Sequence, residues 1–193
     1  MRNVALFGHM GSGKTTIADS LSRAGYQRIS FSGPLKAVAE LAYGKIDKGS
    51  DYEVVDAEGN KRKVSGREIL QGVGQTIKDV DRDFWMKCFM RQVISFGDTP
   101  LVVDDGRFLF EWNELASDGW LTVGVNCHES VRMQRYESIY GRGPTEAEMN
   151  HQSEIEVPDI LNRCSIILQG TDDPFENVRK IMGHSKWNIK IST

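Results

Sequence analysis

Gly8-His9-Met10-Gly11-Ser12-Gly13-Lys14-Thr15 is the densest chemistry in this sequence. It fits the spacing G-x-x-x-x-G-K-[ST], with apolar Val4 to Phe7 before it and a helix-forming run after it. Glycines let such a loop curl until successive N–H groups face inward at phosphate oxygens. The positive end of the following helix adds to the attraction. Gly11, Ser12, Gly13, Lys14, Thr15 and Thr16 are therefore candidates to cradle the phosphates of ATP. In that arrangement Lys14 reaches the β- and γ-phosphates and Thr15 offers its hydroxyl to Mg2+. A chance match among 19 glycines is the competing explanation, and the flanking strand and helix argue against it.

Something must hold that loop, and the chain supplies alternating strand-like and helix-like segments, the pattern of an α/β sheet protein. Val4 to Phe7 predicts a buried first strand, and Thr15 to Ala24 a helix closed by Gly25. Tyr26 to Ser32 predicts a second strand, and Pro34 opens a helix that Gly44 ends. Residues 45–64 are polar, with Gly59-Asn60 between two short β-like runs, which predicts a solvated hairpin inserted beside the core. Ser65 and Glu68 have the spacing of a capping box, so a helix runs from there toward Val80, weakened by Gly72 and Gly74. Asp81 or Asp83 caps a further helix, Phe84 to Phe96, apolar enough to be core or the interface of a homodimer. Leu101 to Asp105 predicts a strand buried on both faces, followed by a helix at Leu109 to Ser117 and a strand at Leu121 to Asn126. Thr145 and Glu148 make a second capping box, Ser165 to Leu168 is the last strand, and Pro174 opens a final helix through Met182.

Three blocks, FSGPLK (Phe31 to Lys36), GREILQGVGQTIKDVDRDFW (Gly66 to Trp85) and VVDDGRF (Val102 to Phe108), together resemble the phage-type deoxynucleoside monophosphate kinases. HQSE (His151 to Glu154) resembles a late H-x-S-E segment of the same group. The blocks stand in the family's order. The resemblance implies transfer of a phosphoryl group from ATP to a deoxynucleoside 5′-monophosphate, with Mg2+. It also implies a three-layer P-loop kinase fold: a parallel five-stranded sheet of order 2-3-1-4-5 with helices on both faces. Ligands would bind at the carboxyl ends of the strands. All 193 residues would form one such domain, with an acceptor-side insertion at about 45–82 and a lid at about 130–156.

Two phosphorylated guests repel one another, so catalysis here means positioning them and cancelling charge. Arg107 is the first candidate for the acceptor phosphate, since its planar fork suits oxygen pairs; the rival reading pairs it with Asp105. Asp105 matches the family's acidic position and is expected to serve the metal with Thr15. Asp104 falls on the opposite strand face and is expected to be structural. Arg67, Gln71 and Gln75 share one helical face, where amides suit base edges, though such stripes are as often simply solvated. Arg82 is a second candidate phosphate ligand. Phe31 and Lys36 lie where the superfamily admits its acceptor, although Phe31 serves equally as core; Gly33 stands where many relatives carry an acid. The segment from Arg132 through Glu154 resembles the lid of monophosphate kinases. There Arg132, Arg135 and Arg142 would close over the moving phosphoryl and exclude water, with Glu154 holding a lid arginine.

Composition bounds the alternatives. Hydrophobic residues make up 39% and charged residues 26%, as in ordinary globular proteins, and the net charge is −3. That acidity disfavours a polymeric nucleic-acid substrate, which needs several cationic contacts. The three cysteines are odd in number and widely spaced, which gives no zinc or dithiol motif. Val4 to Phe7 is too short for a membrane span or a signal peptide, so a cytoplasmic protein is expected, in the host cytoplasm if phage-encoded. The N-K-x-D signature of GTPases is absent. Two other readings use the same loop: a kinase acting on a hydroxymethylated base in phage DNA, and a non-catalytic nucleotide sensor.

Overall fold

The computed structural model of the protein describes residues 1–187, the last three by backbone alone. In chain order the elements begin β1 (Val4–Phe7), α1 (Lys14–Arg23), β2 (Gln27–Ile29), α2 (Gly33–Tyr43), β3 (Asp51–Val55) and β4 (Lys61–Ser65). Next come α3 (Gly66–Val80), α4 (Phe84–Ser95), β5 (Leu101–Gly106), α5 (Leu109–Ser117) and β6 (Leu121–Asn126). The chain closes with α6 (Glu129–Tyr140), α7 (Glu146–Met149), α8 (Gln152–Ile155), α9 (Val157–Arg163), β7 (Ile166–Gln169) and α10 (Pro174–Trp187). These elements gather into two compact units, Ser30–Gly97 and the remainder of the chain on either side of it.

The larger unit is built on a parallel sheet of order β2-β5-β1-β6-β7, which is the expected 2-3-1-4-5 when its own strands are counted along the chain. β1 is buried at every residue, as a central parallel strand covered on both faces must be. On one side Val4, Leu6, Val123 and Leu168 pack with Ile17 and Leu21 of α1 and with Ile181 of α10. On the other, α5 and α9 cover the sheet, burying Leu115, Val157 and Ile160 completely. Each such aliphatic side chain contributes roughly 1.5–3 kcal/mol through its removal from water.

Two local departures shape the site. β2 is three residues long, shorter than the expected Tyr26 to Ser32. It is an edge strand paired only with β5, and the chain turns out of it where Gly33 N donates to Ser30 O at 3.1 Å. The second departure is in β5. Val4 and Ala5 pair with Val102 and Val103, but Phe7 pairs with Gly106, so the register shifts by one residue at Asp104-Asp105. That is a β-bulge, a device that re-aims side chains at the end of a strand. Helix α9 was not foreseen, since seven residues are too few to show a period; Pro158 marks its first turn.

The smaller unit holds the expected hairpin, with Asp51 opposite Ser65 through Val55 opposite Lys61. Asp56 shapes its turn by accepting from the N–H groups of Glu58 and Asn60. The capping box forms: Ser65 Oγ accepts from Glu68 N, and the Glu68 carboxylate accepts from Ser65 N. α3 then runs to Val80 despite its glycines, carried by the burial of Ile69 and Leu70 against Ala39 and Val64. Asp83 takes the N-cap position of α4 without a side-chain cap bond, while Asp81 accepts from Asp83 N at 3.1 Å.

Candidate functional site: a phosphate loop ringed by cationic groups

The loop between β1 and α1 adopts the curl its glycines allow, with Gly11 at φ +72 and Gly13 at φ +102, where a Cβ would be strained. A Cβ on Gly11 would also stand 2.7 Å from the carbonyl oxygen of Arg132, so the first turn of α6 rests directly on the loop. Lys14 is only 7% exposed and folds back to donate to the carbonyl oxygens of Gly8 (2.6 Å) and His9 (2.8 Å). Burial, reinforced by the positive charge of Arg107, pushes its pKa down to about 7, against the opposing pull of Glu154 and Asp104. Ser12 Oγ is buried in the same loop without a hydrogen-bond partner among the described residues. A polar atom left so costs free energy unless a ligand completes it.

An acidic partner of the loop is Asp104. Thr15 Oγ1 donates to Asp104 Oδ2 at 3.0 Å. Arg28, from β2, grips the same carboxylate with two bonds, Nε to Oδ1 at 2.9 Å and Nη2 to Oδ2 at 2.6 Å, and reaches Asp19 with Nη1. Strand alternation does separate the two aspartates, and Asp104 takes the face of Val102, two residues before it, which packs with α1. Asp104 is 5% exposed and faces α1, whereas Asp105 is half-buried and lies near Glu111. The hydroxyl and carboxylate oxygens suit a hard cation such as Mg2+, which takes one or two protein oxygens and fills its other positions from phosphates and water. Among the described residues no group of three or more His, Cys, Asp or Glu is arranged to hold a metal by itself. A cation arriving with its nucleotide fits these donors.

Beyond the loop, charge gathers on Glu154, which is 6% exposed. Its Oε1 accepts from Met10 N at 3.0 Å and its Oε2 from His9 Nδ1 at 2.8 Å. Arg107 Nη1 stands 3.6 Å from Oε1 and Arg132 Nη1 3.9 Å from Oε2. Arg107 is offered by a turn that Glu111 secures, accepting from Arg107 N (2.7 Å) and Phe108 N (3.0 Å). A cavity of about 100 Å³ opens here, lined by His9, Met10, Arg132, Met149 and Glu154. Two guanidinium groups and Lys14 thus surround a loop shaped for anions.

No family model matches the chain, and no curated protein matches it in sequence. Solved structures do match it. A shikimate kinase from Aquifex aeolicus is 18% identical, with a TM-score of 0.59 over 95% of this chain and 96% of its own. Dephospho-CoA kinase from Campylobacter jejuni is 14% identical, with a TM-score of 0.56 over 97% and 98%. TT1252 from Thermus thermophilus is 14% identical, with a TM-score of 0.61 over 95% and 97%. The fold is that of the P-loop kinases.

In this P-loop kinase fold the late arginines have separate duties. Arg135 donates to Gly11 O at 3.1 Å and Gly170 O at 2.9 Å, lacing the loop to the turn after β7. Arg142 forms a two-pronged pair with Glu148 and lies over the Tyr136 ring, which ties it to α6 and α7. The second capping box, Thr145 with Glu148, forms as expected. Thr16 is exposed in the first turn of α1.

The remaining candidates belong to the smaller unit. Arg67, Gln71 and Gln75 do share an exposed face of α3, where Gln75 Nε2 donates to Asp79 Oδ1 at 2.7 Å. Arg82 is exposed between α3 and α4, and Lys36 is half-buried in α2. Phe31, half-buried, stacks on the buried Phe89 with centroids 4.3 Å apart, and Trp85 Nε1 donates to Gly74 O, so both help pack the smaller unit. Sequence reasoning missed Arg28, Glu111 and the imidazole of His9. Only Glu111 left a trace, as an acid a helical turn beyond Arg107 at a helix start.

Proposed function

We propose that the protein is a Mg2+-dependent kinase of the phage-type deoxynucleoside monophosphate group, transferring the γ-phosphoryl of ATP to a deoxynucleoside 5′-monophosphate and so serving deoxynucleotide metabolism. The observation that carries the reading is the meeting of Arg107 and Arg132 at Glu154, itself bonded to Met10 of the phosphate loop. A site for one nucleotide has Lys14 and the loop amides already. Two further guanidinium groups suit a second anionic guest. The three sequence blocks supply the acceptor class.

On this reading Lys14 leaves the carbonyls of Gly8 and His9 for phosphate oxygens when nucleotide enters. Asp104 takes the Thr15 proton's hydrogen bond, which leaves the hydroxyl lone pairs for a cation. Mg2+, when bound with ATP, neutralises charge on the β- and γ-phosphates. Arg107 binds the acceptor phosphate and Arg132 neutralises the moving group. Arg135 keeps the loop in shape, and the lid, residues 130–156, sheds water. Phe31, Lys36, Arg67, Gln71, Gln75 and Arg82 are the proposed acceptor contacts on residues 31–82. Among the described residues no helix is long and apolar enough to cross a membrane.

The test is ADP release from Mg-ATP in the presence of each common dNMP in turn. Acceleration by at least one dNMP over ATP alone supports the reading. Acceleration only by hydroxymethylated DNA, or ATP binding with no turnover, replaces it.

A further inference from the structure

We propose that Glu154 is a positioning residue that draws Arg107, Arg132 and the tip of the phosphate loop onto one carboxylate, and so sets the distance between the two phosphate sites. The proposal rests on the kinase reading above and assigns to the short segment 152–156 the task of aligning it.

The geometry separates tight bonds from loose ones. The tight contacts of Glu154 go to the loop, at 2.8 Å from His9 Nδ1 and 3.0 Å from Met10 N. The arginines stand farther off, at 3.6 and 3.9 Å, where charge attraction steers them without consuming their N–H groups. Arg132 Nε is buried with no hydrogen-bond partner among the described residues. A carboxylate serving merely as counter-ion to one arginine would take the two-pronged grip that Glu148 takes on Arg142. Burial opposes the charge on Glu154, but His9, the Met10 N–H and Arg107 outweigh it and hold the carboxyl below its ordinary range.

The same segment fixes the backbone that offers Arg107. Glu156, immediately after α8, accepts from Leu109 N at 2.6 Å and from Gln152 Nε2 at 2.6 Å. His151 Nδ1 accepts from Ser153 N at 3.2 Å, capping the turn that aims Glu154 inward. Leu109 and Met10 are therefore anchored to carboxylates two residues apart on one turn. Any shift of this turn moves the acceptor arginine and the phosphate loop together.

The test compares the wild type with E154Q, which keeps an oxygen for Met10 N but loses the charge, and with E154D, which keeps the charge on a shorter arm. Arginine Nε–H signals are recorded by NMR without nucleotide, assigned through R107K and R132K, and turnover is followed with dNMP and with ATP alone. Expected for E154Q are collapse of both arginine signals toward those of exposed arginines and a kcat about 100-fold lower, with the Kd for Mg-ATP changed less than about 3-fold. E154D should retain about 10-fold more kcat than E154Q, a rescue that a purely structural glutamate would not show. Unchanged arginine signals in E154Q overturn the proposal, as does a kcat kept within about 3-fold once the signals have collapsed. If the wild type uses no dNMP while E154Q still loses the arginine signals and its hydrolysis of ATP, the acceptor assignment fails and the positioning role stands.

Discussion

Thr15 donates its hydroxyl proton to Asp104 across 3.0 Å, joining the first turn of α1 to the bulged end of β5. The bond ties Asp104 to the phosphate loop. Arg28 then pairs with that aspartate from the edge strand, so the buried carboxylate beside the loop has a cationic partner.

Asp104→Asn should therefore lower kcat by about 10²-fold or more and raise the Mg2+ concentration needed for half-maximal rate. Asp105→Asn should change both by less than about 3-fold, a loss too small for a metal site. A titration of initial rate against Mg2+ for the two variants decides between the aspartates.

Arg107→Ala should raise the acceptor KM by about 10- to 100-fold, the cost of one or two charge-assisted bonds, and leave the KM for ATP near its wild-type value. Steady-state kinetics with each substrate varied in turn would check this. An unchanged acceptor KM removes Arg107 from the acceptor site.

Glu111 carries the pH prediction. Burial pushes its pKa up from 4.5 to about 7, against the N–H groups of Arg107 and Phe108, so the folded protein binds more protons than the unfolded chain between these values. Stability from this group is thus fully present below pH 4.5 and is lost as pH rises through about 7. The loss is on the order of 3 kcal/mol, worth roughly 2–4 °C of Tm per kcal/mol at this chain length. Glu111→Gln keeps an acceptor for both N–H groups without titrating, so its Tm should fall less than that of the wild type between pH 5 and pH 7.5, a range of about the width of the shift. Parallel falls would show that Glu111 does not titrate there.

Gly170→Ala should damage the phosphate loop from a distance. A Cβ at Gly170 would run into the carbonyl of Ser12, and Gly170 O is one of the two oxygens that hold Arg135. The expected result is weaker ATP binding by about 10-fold or more with a lower Tm, from overpacking that typically costs about 1–3 kcal/mol. Calorimetry with ATP and a thermal melt give the two numbers.

The sequence announced the loop, the capping boxes and the buried strands because each rests on local chemistry: glycine φ, a serine or threonine three residues before a glutamate, and unbroken apolar runs; the strand order came from the family resemblance alone. At Asp104 and Asp105 it gave only relative faces, because alternation does not say which face of the strand meets α1 until the sheet is packed. Arg28 and His9 left no signal, since a partner 76 or 145 residues away carries no periodicity. Type and spacing group Arg135 and Arg142 with Arg132, but carry no sign of the carbonyls and the glutamate that the fold brings to them.

The central claim is that this loop hands its phosphate to a second nucleotide. Incubation with Mg2+ and ATP labelled at the γ-phosphate, followed by separation of the nucleotides, tests it most directly. The account predicts label in the diphosphate of at least one deoxynucleoside monophosphate, abolished in Lys14→Ala. Label that goes only to inorganic phosphate, or only to hydroxymethylated DNA, would contradict it.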